Sequence, residues 1–289
     1  MDFSHYEGSL FICPTPIGNM QDITFRVLTC LKEVDCIACE DTRRTQKLLN
    51  YFEIKKQLTS YHKFNQEKKG RIILDRLKKG ENIALVADAG TPGISDPGQY
   101  LVKHAIDKDI PIVPLPGPSA AVTALTASGL NTDSFLFLGF IPEKGSKRKH
   151  TLNSIAVSED TVVLYENARR LTKTLAELMP VLEQRQIVIA REVTKLHEEF
   201  IRGKCEDIIQ TLEQRDEIKG ETTVIIEGGS KDKAGAKVTD TNLHDHLSQL
   251  IAAGFSKKDA IKLVSELSGI AKNKVYQEAL KLDTQKGES

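Results

Sequence analysis

The chain has 289 residues, enough for two domains with cores of their own and a small appendage. Hydrophobic residues make up 40% and charged residues 28%, the balance of an ordinary globular protein rather than a disordered or fibrous one. Lys and Arg together number 40, as do Asp and Glu, so the net charge is zero and argues against a uniformly basic nucleic-acid binder. No apolar run approaches the roughly 18 residues that cross a bilayer. The start, Met1 to His5, lacks the basic and apolar regions of a secretory signal, so a cytoplasmic protein without membrane contact is expected.

In chain order, Ser9–Cys13 reads as a short apolar strand ending in the proline-stiffened Pro14-Thr15-Pro16-Ile17-Gly18-Asn19. This is the position at which a dinucleotide fold would carry G-x-G-x-x-G; neither that motif nor a Walker A loop is present. A helix with Val27, Leu28 and Leu31 on one face follows. Asp35–Cys39 is a second strand with Glu40-Asp41-Thr42-Arg43-Arg44 at its carboxyl end, where acids suit a helix start. Cys36 and Cys39 form a C-x-x-C, but positions three apart on a strand point to opposite faces. With five cysteines in all and no second pair, buried thiols are expected and no metal site.

A strand at Gln57–Ser60 and a basic helix near Gln66–Lys79 come next. From Thr42 to Lys79, twelve Lys/Arg stand against Glu53, Glu67 and Asp75, a local excess of +9 in a neutral chain and the footprint of a phosphate backbone. The apolar run Ile83–Ala87 then stops at Asp88. Eleven residues, Asp88 to Gly98, carry three glycines and two prolines before the helical pattern resumes at Leu101. That order is strand, glycine-rich loop, helix. Ligands sit at the carboxyl ends of strands in open α/β sheets, and this loop is longer than the connection requires, βα loops usually having about 2–6 residues.

Ile110–Leu115 is a further strand, and Pro114, Pro116 and Pro118 make a rigid crossing that marks a domain boundary. The alternation then repeats. A small-residue helix spans Ser119–Ser128, strands Phe135–Phe140, Thr161–Tyr165, Ile187–Ala190 and Thr222–Ile226 follow, and Asn167 is placed to cap the helix carrying Leu171, Leu175 and Leu178. A second basic cluster, Lys144, Lys147, Arg148 and Lys149, falls in a loop. Such alternation predicts sheets largely parallel within each half. Gly228 to Lys237 reads as a linker. Beyond it the pattern is helical, with Ser256 and Asp259 in capping-box spacing and a break at Gly269, and three short helices with a tight turn have helix-turn-helix character. The expected organisation is therefore 1–116 and 117–228 as two α/β domains and 229–289 as linker and small helical domain.

Six segments stand together in the order of a known family: Pro14 to Asn19 with Asp22-Ile23-Thr24; Glu40 to Arg43; Asp88 to Gly98; Pro116 to Ala120; Tyr165-Glu166 with Arg169-Arg170; and Ala190 to Glu199. The chain from about Ser9 to Glu227 resembles the ribosomal RNA small-subunit methyltransferase I group of the tetrapyrrole-methylase-like superfamily, and the helical tail is similar to that group's extension. Two segments depart from its pattern. Asn167-Ala168-Arg169-Arg170 stands for the usual Ser-Pro-His-Arg, and Glu192-Val193-Thr194-Lys195 for Glu-Leu-Thr-Lys.

The resemblance implies two α/β domains with S-adenosylmethionine in the cleft between them, a homodimer, and methyl transfer to the ribose 2′-oxygen of a cytidine in the decoding region of 16S rRNA. S-adenosylmethionine carries no phosphates, which agrees with the missing phosphate-binding motifs. On this reading Pro16, Asp88, Ala89, Gly90, Thr91, Gly93 and Ile94 hold the cofactor from the first domain, Ser119 and Ala120 complete the cleft, and Tyr165, Thr222 and Val224 face them from the second. Glu40, Glu166, Glu192, Lys195 and His197 all follow strand ends. Among these Lys195 is the expected base or orienter, with Glu40 and Arg43 positioning the ribose and its phosphate. Two other readings stand beside this one: a methylase of a corrin or porphyrin precursor, and a non-catalytic ribosome-binding factor.

Overall fold

The computed structural model describes residues 3, 5–182, 184–229, 243–252, 255–268 and 270–284; the linker residues 230–237 and the break at Gly269 lie outside that part. The chain divides into two units. Residues through Thr123 with Val193–Leu196 make one, and Ala124–Glu192 with the chain from His197 onward make the other.

The first unit alternates β1 (Leu10–Cys13), α1 (Phe25–Glu33), β2 (Cys36–Cys39), α2 (Thr42–Tyr51), β3 (Gln57–Ser60), α3 (Gln66–Lys78), β4 (Ile83–Val86), α4 (Gln99–Ile106) and β5 (Ile112–Pro114). The strands form one sheet in the order β3-β2-β4-β1-β5, every pair parallel. β2 and β4 are buried along their whole length, as a sheet covered on both faces requires. Val27, Cys30 and Leu31 of α1 pack with Leu48 and Leu49 of α2 on one face. Ile73, Leu74 and Leu77 of α3 pack with Leu101 and Ala105 of α4 on the other. Cys39 belongs to the first of these cores and Cys36 to the second, so the C-x-x-C pair does point to opposite faces. Because the sheet is parallel, all five carboxyl ends, and the loops that leave them, lie on one edge.

The second unit holds the end of α5 (Ala120–Thr126), then β6 (Phe135–Phe140), α6 (Gly145–Val157), β7 (Thr161–Asn167), α7 (Ala168–Leu182), β8 (Ile187–Arg191), β9 (Glu199–Gly203), α8 (Cys205–Glu213) and β10 (Glu221–Ile226). Its sheet runs β6-β7-β10-β8-β9. Here the expectation of a largely parallel sheet is corrected: β6 and β7 are parallel, but β10 is antiparallel to both β7 and β8, and β9 is antiparallel to β8. The helical crossover α7 leaves a slot between β7 and β8, and the last strand fills it from the opposite direction. β8 and β9 are joined by the short segment 192–198, which admits a hairpin but no parallel crossover. Asn167 caps as expected, its Oδ1 accepting from Arg169 N at 3.0 Å.

The second basic cluster also needs correction. Lys144, Lys147 and Lys149 are exposed, but Arg148 points inward from α6, is buried, and donates to Glu177 Oε2 at 2.9 Å, Thr174 Oγ1 at 3.0 Å and the Pro142 carbonyl at 3.0 Å. Its charge is spent on the fold.

The tail consists of α9 (Leu243–Ala252), α10 (Lys257–Ser268) and α11 (Lys272–Thr284). Ser256 caps α10, its Oγ accepting from Asp259 N at 3.1 Å and donating to Asp259 Oδ2 at 2.5 Å. Leu243, Leu247, Leu250, Phe255, Ile261 and Val275 share one apolar core with Leu152, Ile155, Leu171 and Leu178 of α6 and α7. The helices therefore stabilise the second unit. Replacing the fully buried Leu247 by Ala is expected to cost about 2–5 kcal/mol of stability in chemical denaturation; a loss under about 1 kcal/mol would show that α9 contributes little to that core.

Candidate active site

The loops at the carboxyl edge of the first sheet are bonded into one platform. Thr15 and Gly90 form an isolated antiparallel bridge, with Thr15 N donating to Gly90 O and Gly90 N to Thr15 O, both at 2.9 Å. Thr15 Oγ1 adds a bond to the Ala87 carbonyl at 3.0 Å. Thr91 Oγ1 donates to the Pro118 carbonyl at 3.1 Å, which ties in the loop after β5. A Cβ on Gly117 would lie 2.7 Å from Cβ of Pro14, so a glycine is needed where these two loops touch. Gly90 (φ +78°) and Gly93 (φ +84°) take left-handed backbone that L side chains rarely adopt. Among the described residues, Ala89 and Gly93 enter no backbone hydrogen bond, which leaves their amides and carbonyls for a ligand.

The loop after β2 joins through Asp88. Asp41 N donates to Asp88 Oδ1 at 3.1 Å, and the Arg44 guanidinium stands 3.5 Å from Asp88 Oδ2. Asp41 caps α2, accepting from Arg43 N at 2.8 Å and pairing with the Arg43 guanidinium at 2.8 Å. That hydrogen-bonded guanidinium holds the Asp41 carboxyl well below the usual carboxylate range.

Glu40 and Asp96 behave in the opposite way. Burial raises the Glu40 carboxyl, and the negative charge of Asp88 adds to the shift. Asp96 is pushed up to about 6, first by burial and then by the charges of Glu40 and Asp88. Sequence reasoning missed Asp96; it lies inside the long loop, but only its burial beside two other carboxylates singles it out.

Lys195 belongs to this unit with Val193, Thr194 and Leu196. Gly18 makes the approach possible, for a Cβ there would lie 2.5 Å from Lys195 Cγ and 2.8 Å from Thr194 Oγ1. Glu192 (φ +52°) and Thr194 (φ +69°) are left-handed without being glycine. Such strain costs on the order of 1–3 kcal/mol per residue and clusters at functional sites. The structure thus brings together in one unit Pro16, Glu40, Arg43, Asp88, Ala89, Gly90, Thr91, Gly93, Ile94, Ser119, Ala120 and Lys195, all from sequence reasoning, and adds Gly18 and Asp96.

Tyr165, Thr222 and Val224 lie in the second unit. Tyr165 is half-buried, edge-on to Phe137 with ring centroids 5.2 Å apart. Thr222 is buried and donates to the Glu166 carbonyl at 2.5 Å. The Val224 side chain is in the apolar core, and its strand is paired on both sides. Glu166 is also committed to the fold. Its buried carboxylate accepts from Asn167 N and Thr174 Oγ1 at 2.7 Å and pairs with Arg170 at 2.7 Å. Glu192 accepts from Glu221 N at 2.9 Å, and His197 is exposed.

The comparisons with known proteins agree with this architecture. Residues 9–209 match the family of Tetrapyrrole (Corrin/Porphyrin) Methylases, and residues 239–283 match the RsmI C-terminal HTH domain. The structure resembles cobalt precorrin-4 methyltransferase (TM-score 0.55, 17% identity, covering 76% of this chain and 95% of that one). It also resembles uroporphyrin-III C-methyl transferase from Thermus thermophilus complexed with S-adenyl homocysteine (TM-score 0.55, 16% identity, 76% and 97%). At those identities the likeness defines the class of fold alone, an α/β architecture with two sheets. Ribosomal RNA small subunit methyltransferase I of Halalkalibacterium halodurans is 44% identical over 93% of this chain and 94% of its own length. That of Bacillus subtilis is 41% identical over 93% of both. The chain belongs to the tetrapyrrole methylase family and, within it, to the ribosomal RNA small subunit methyltransferase I group. Among the described residues no helix is long and apolar enough to cross a membrane.

The titration of Asp96 gives a signed expectation. Its folded value is raised to about 6, so the folded state keeps the proton longer than the unfolded state does. Stability is then lost as pH rises from about 4, the ordinary value, and the full penalty is present above the folded value. Asp96→Asn should raise Tm at neutral pH, with the gain vanishing below about pH 4; an equal gain at both pH values would refute the assignment.

Proposed function

We propose that this protein transfers the methyl group of S-adenosylmethionine to the ribose 2′-hydroxyl of a cytidine in the decoding region of 16S rRNA, acting as a cytoplasmic homodimer on the small ribosomal subunit. The observation that carries the reading is the 44% identity to a ribosomal RNA small subunit methyltransferase I along nearly the whole of both chains. The platform at the carboxyl edge supports it. The backbone groups of Ala89 and Gly93, the turn at Gly90 and the Thr91–Pro118 contact form a polar, glycine-lined cradle without phosphate-binding motifs. That donor set suits the adenine, ribose and amino-acid ends of S-adenosylmethionine. The corrin or porphyrin reading rests on likenesses of 17% and 16% identity, which carry the fold alone.

S-adenosylmethionine supplies the methyl on an already activated sulfonium, so the chain has to add alignment and assistance to the hydroxyl proton. Pro16, Gly90, Thr91, Gly93 and Ile94, with Ser119 and Ala120, align the cofactor. Arg43 presents its guanidinium 86% exposed at the start of α2, where a ribose phosphate can share it with Asp41. Lys195, held against Gly18 by a strained segment, orients or deprotonates the hydroxyl. Glu40 lies on the same edge to receive the ribose. Asp96, titrating at about 6, is a further proton acceptor, ionised at neutral pH yet more basic than an ordinary aspartate.

Two variants test this assignment. Gly90→Val forces a β-branched residue into φ +78° with Ile17 Cγ2 already 3.4 Å from any Cβ there. It should abolish calorimetric binding of S-adenosylmethionine while the circular dichroism of the fold is kept; wild-type affinity would remove Gly90 from the cradle. Lys195→Ala should leave cofactor and RNA affinities near wild type and lower the single-turnover rate by roughly 10²–10⁴, the range for a lost general base. A rate loss below about tenfold would reject Lys195 as the base.

A further inference from the structure

The turn that leaves β3 has no part in the cradle, yet it is built with care. Tyr61 extends the strand, its buried ring below and its N–H donating to the Cys39 carbonyl at 2.7 Å. His62 to Asn65 then close a turn, Asn65 N donating to His62 O at 3.0 Å. The Asn65 side chain locks it: Oδ1 accepts from His62 N at 2.8 Å, and Nδ2 donates to Ser60 O at 3.3 Å and Ser60 Oγ at 3.1 Å. On this locked turn Phe64 is 95% exposed. Leaving a phenylalanine in water forfeits about 1.5–3 kcal/mol of possible burial. A loose loop would fold such a ring back onto the protein; this one holds it out.

The surroundings identify what the ring meets. β2 and β3 run parallel with Cys39 opposite Ser60, so the turn emerges one strand spacing, about 4.8 Å, from Glu40 and Asp41. His62 is near enough for its charge to oppose the upward shift of Glu40. Arg44 on α2, 67% exposed along its side chain, also opposes that shift, and Lys63, Lys68 and Arg71 are exposed in the turn and on α3. Between Ile54 and Leu74, Glu67 is the single acidic residue. An exposed aromatic ring, edge-on to His62 with ring centroids 6.2 Å apart and set among cations, suits a base between phosphates; a docked protein would call for a contiguous apolar patch.

Building on the RNA-methylating reading above, we propose that the Tyr61–Asn65 turn is a base-stacking platform for single-stranded RNA, with Phe64 taking the face of an unpaired base near the target nucleotide and Lys63, Lys68 and Arg44 holding the flanking phosphates. In single-stranded RNA the bases around a bound nucleotide are splayed apart and lose stacking partners. An aromatic side chain replaces one of those partners, whatever the base.

The chain contains no tryptophan, so Phe64→Trp introduces a single indole at the platform. Its fluorescence should be quenched on titration with a short single-stranded oligocytidylate and with protein-free 16S rRNA transcript. Phe64→Ala should raise the Kd for the oligocytidylate and the KM for unmodified small subunits by roughly 5–150-fold, the loss of one stacked base at about 1–3 kcal/mol. Calorimetric affinity for S-adenosylmethionine should not change. Phe64→Leu, apolar without a π face, should behave like the alanine variant, and Phe64→Trp like wild type. An unquenched indole together with wild-type Kd and KM in Phe64→Ala would overturn the platform while methyl transfer to rRNA continued. Wild-type protein that neither binds nor methylates RNA would overturn the functional reading as well.

Discussion

The reciprocal hydrogen bonds between Thr15 and Gly90 hold the candidate site together. β1 and β4 are neighbours at the centre of a parallel sheet, so their loops emerge side by side with backbone groups that no strand partner satisfies. Pairing Thr15 with Gly90 satisfies two donors and two acceptors at once and continues the sheet where its strands have ended. Each backbone group left unpaired there would carry a cost of about 1–3 kcal/mol on burial. The rest of the platform follows from that junction. Pro14 and Pro16 stiffen one side, Gly90 supplies the left-handed turn on the other, and Thr91 and Gly117 bring the third loop against both. A long glycine-rich loop would otherwise be mobile; bonded this way, it can offer amides and carbonyls in fixed positions.

Charge divides the same edge into two regions. Within the platform, Asp88 accepts from Asp41 N and faces Arg44, and its charge together with burial raises Glu40 and Asp96. Around it, the segment from Thr42 to Lys79, which holds α2, α3 and the loops between them, carries the +9 excess that a neutral chain has concentrated there. A cationic substrate group such as a sulfonium is favoured by the inner carboxylates, and a polyanion by the rim. The second unit spends its charges differently. Glu166, Arg170, Thr174, Arg148 and Glu177 form one chain of buried contacts that fixes β7, α6 and α7. Removing one partner there would leave an uncompensated charge, so the arrangement fixes geometry more than it adds stability.

Much of this was legible in the residues. The apolar runs of β1, β2 and β4 read as buried strands, and the Gly- and Pro-rich stretches after β1 and β4 read as loops, because both signals are local. The caps at Asn167 and Ser256 are local too, and the structure keeps both. What stayed hidden depends on distant partners. β8 and β10 are rich in Val and Ile and buried, so their composition looks the same in parallel and antiparallel sheets; only the insertion of β10 between β7 and β8 decides direction. Arg148 sits in a basic run and reads as surface until Glu177 and Thr174 are seen beneath it. Val224 alternates correctly with Thr222 yet packs inward, since a strand puts neighbours two apart on one face and burial there is set by the helices above. Gly18 shows no local sign that Lys195 will lie against it, and the titration of Asp96 depends on its burial and on the charges of Glu40 from another loop and Asp88 at the far end of its own.

The most direct measurement of the central claim is to incubate the protein with methyl-labelled S-adenosylmethionine and small ribosomal subunits lacking the modification, then map the label within the RNA. The account predicts label on the ribose 2′-oxygen of a cytidine in the decoding region of 16S rRNA, and none when the ribose at that position is already methylated. Label on a base, label on a corrin or porphyrin precursor offered in the same reaction, or no transfer to RNA at all would contradict it.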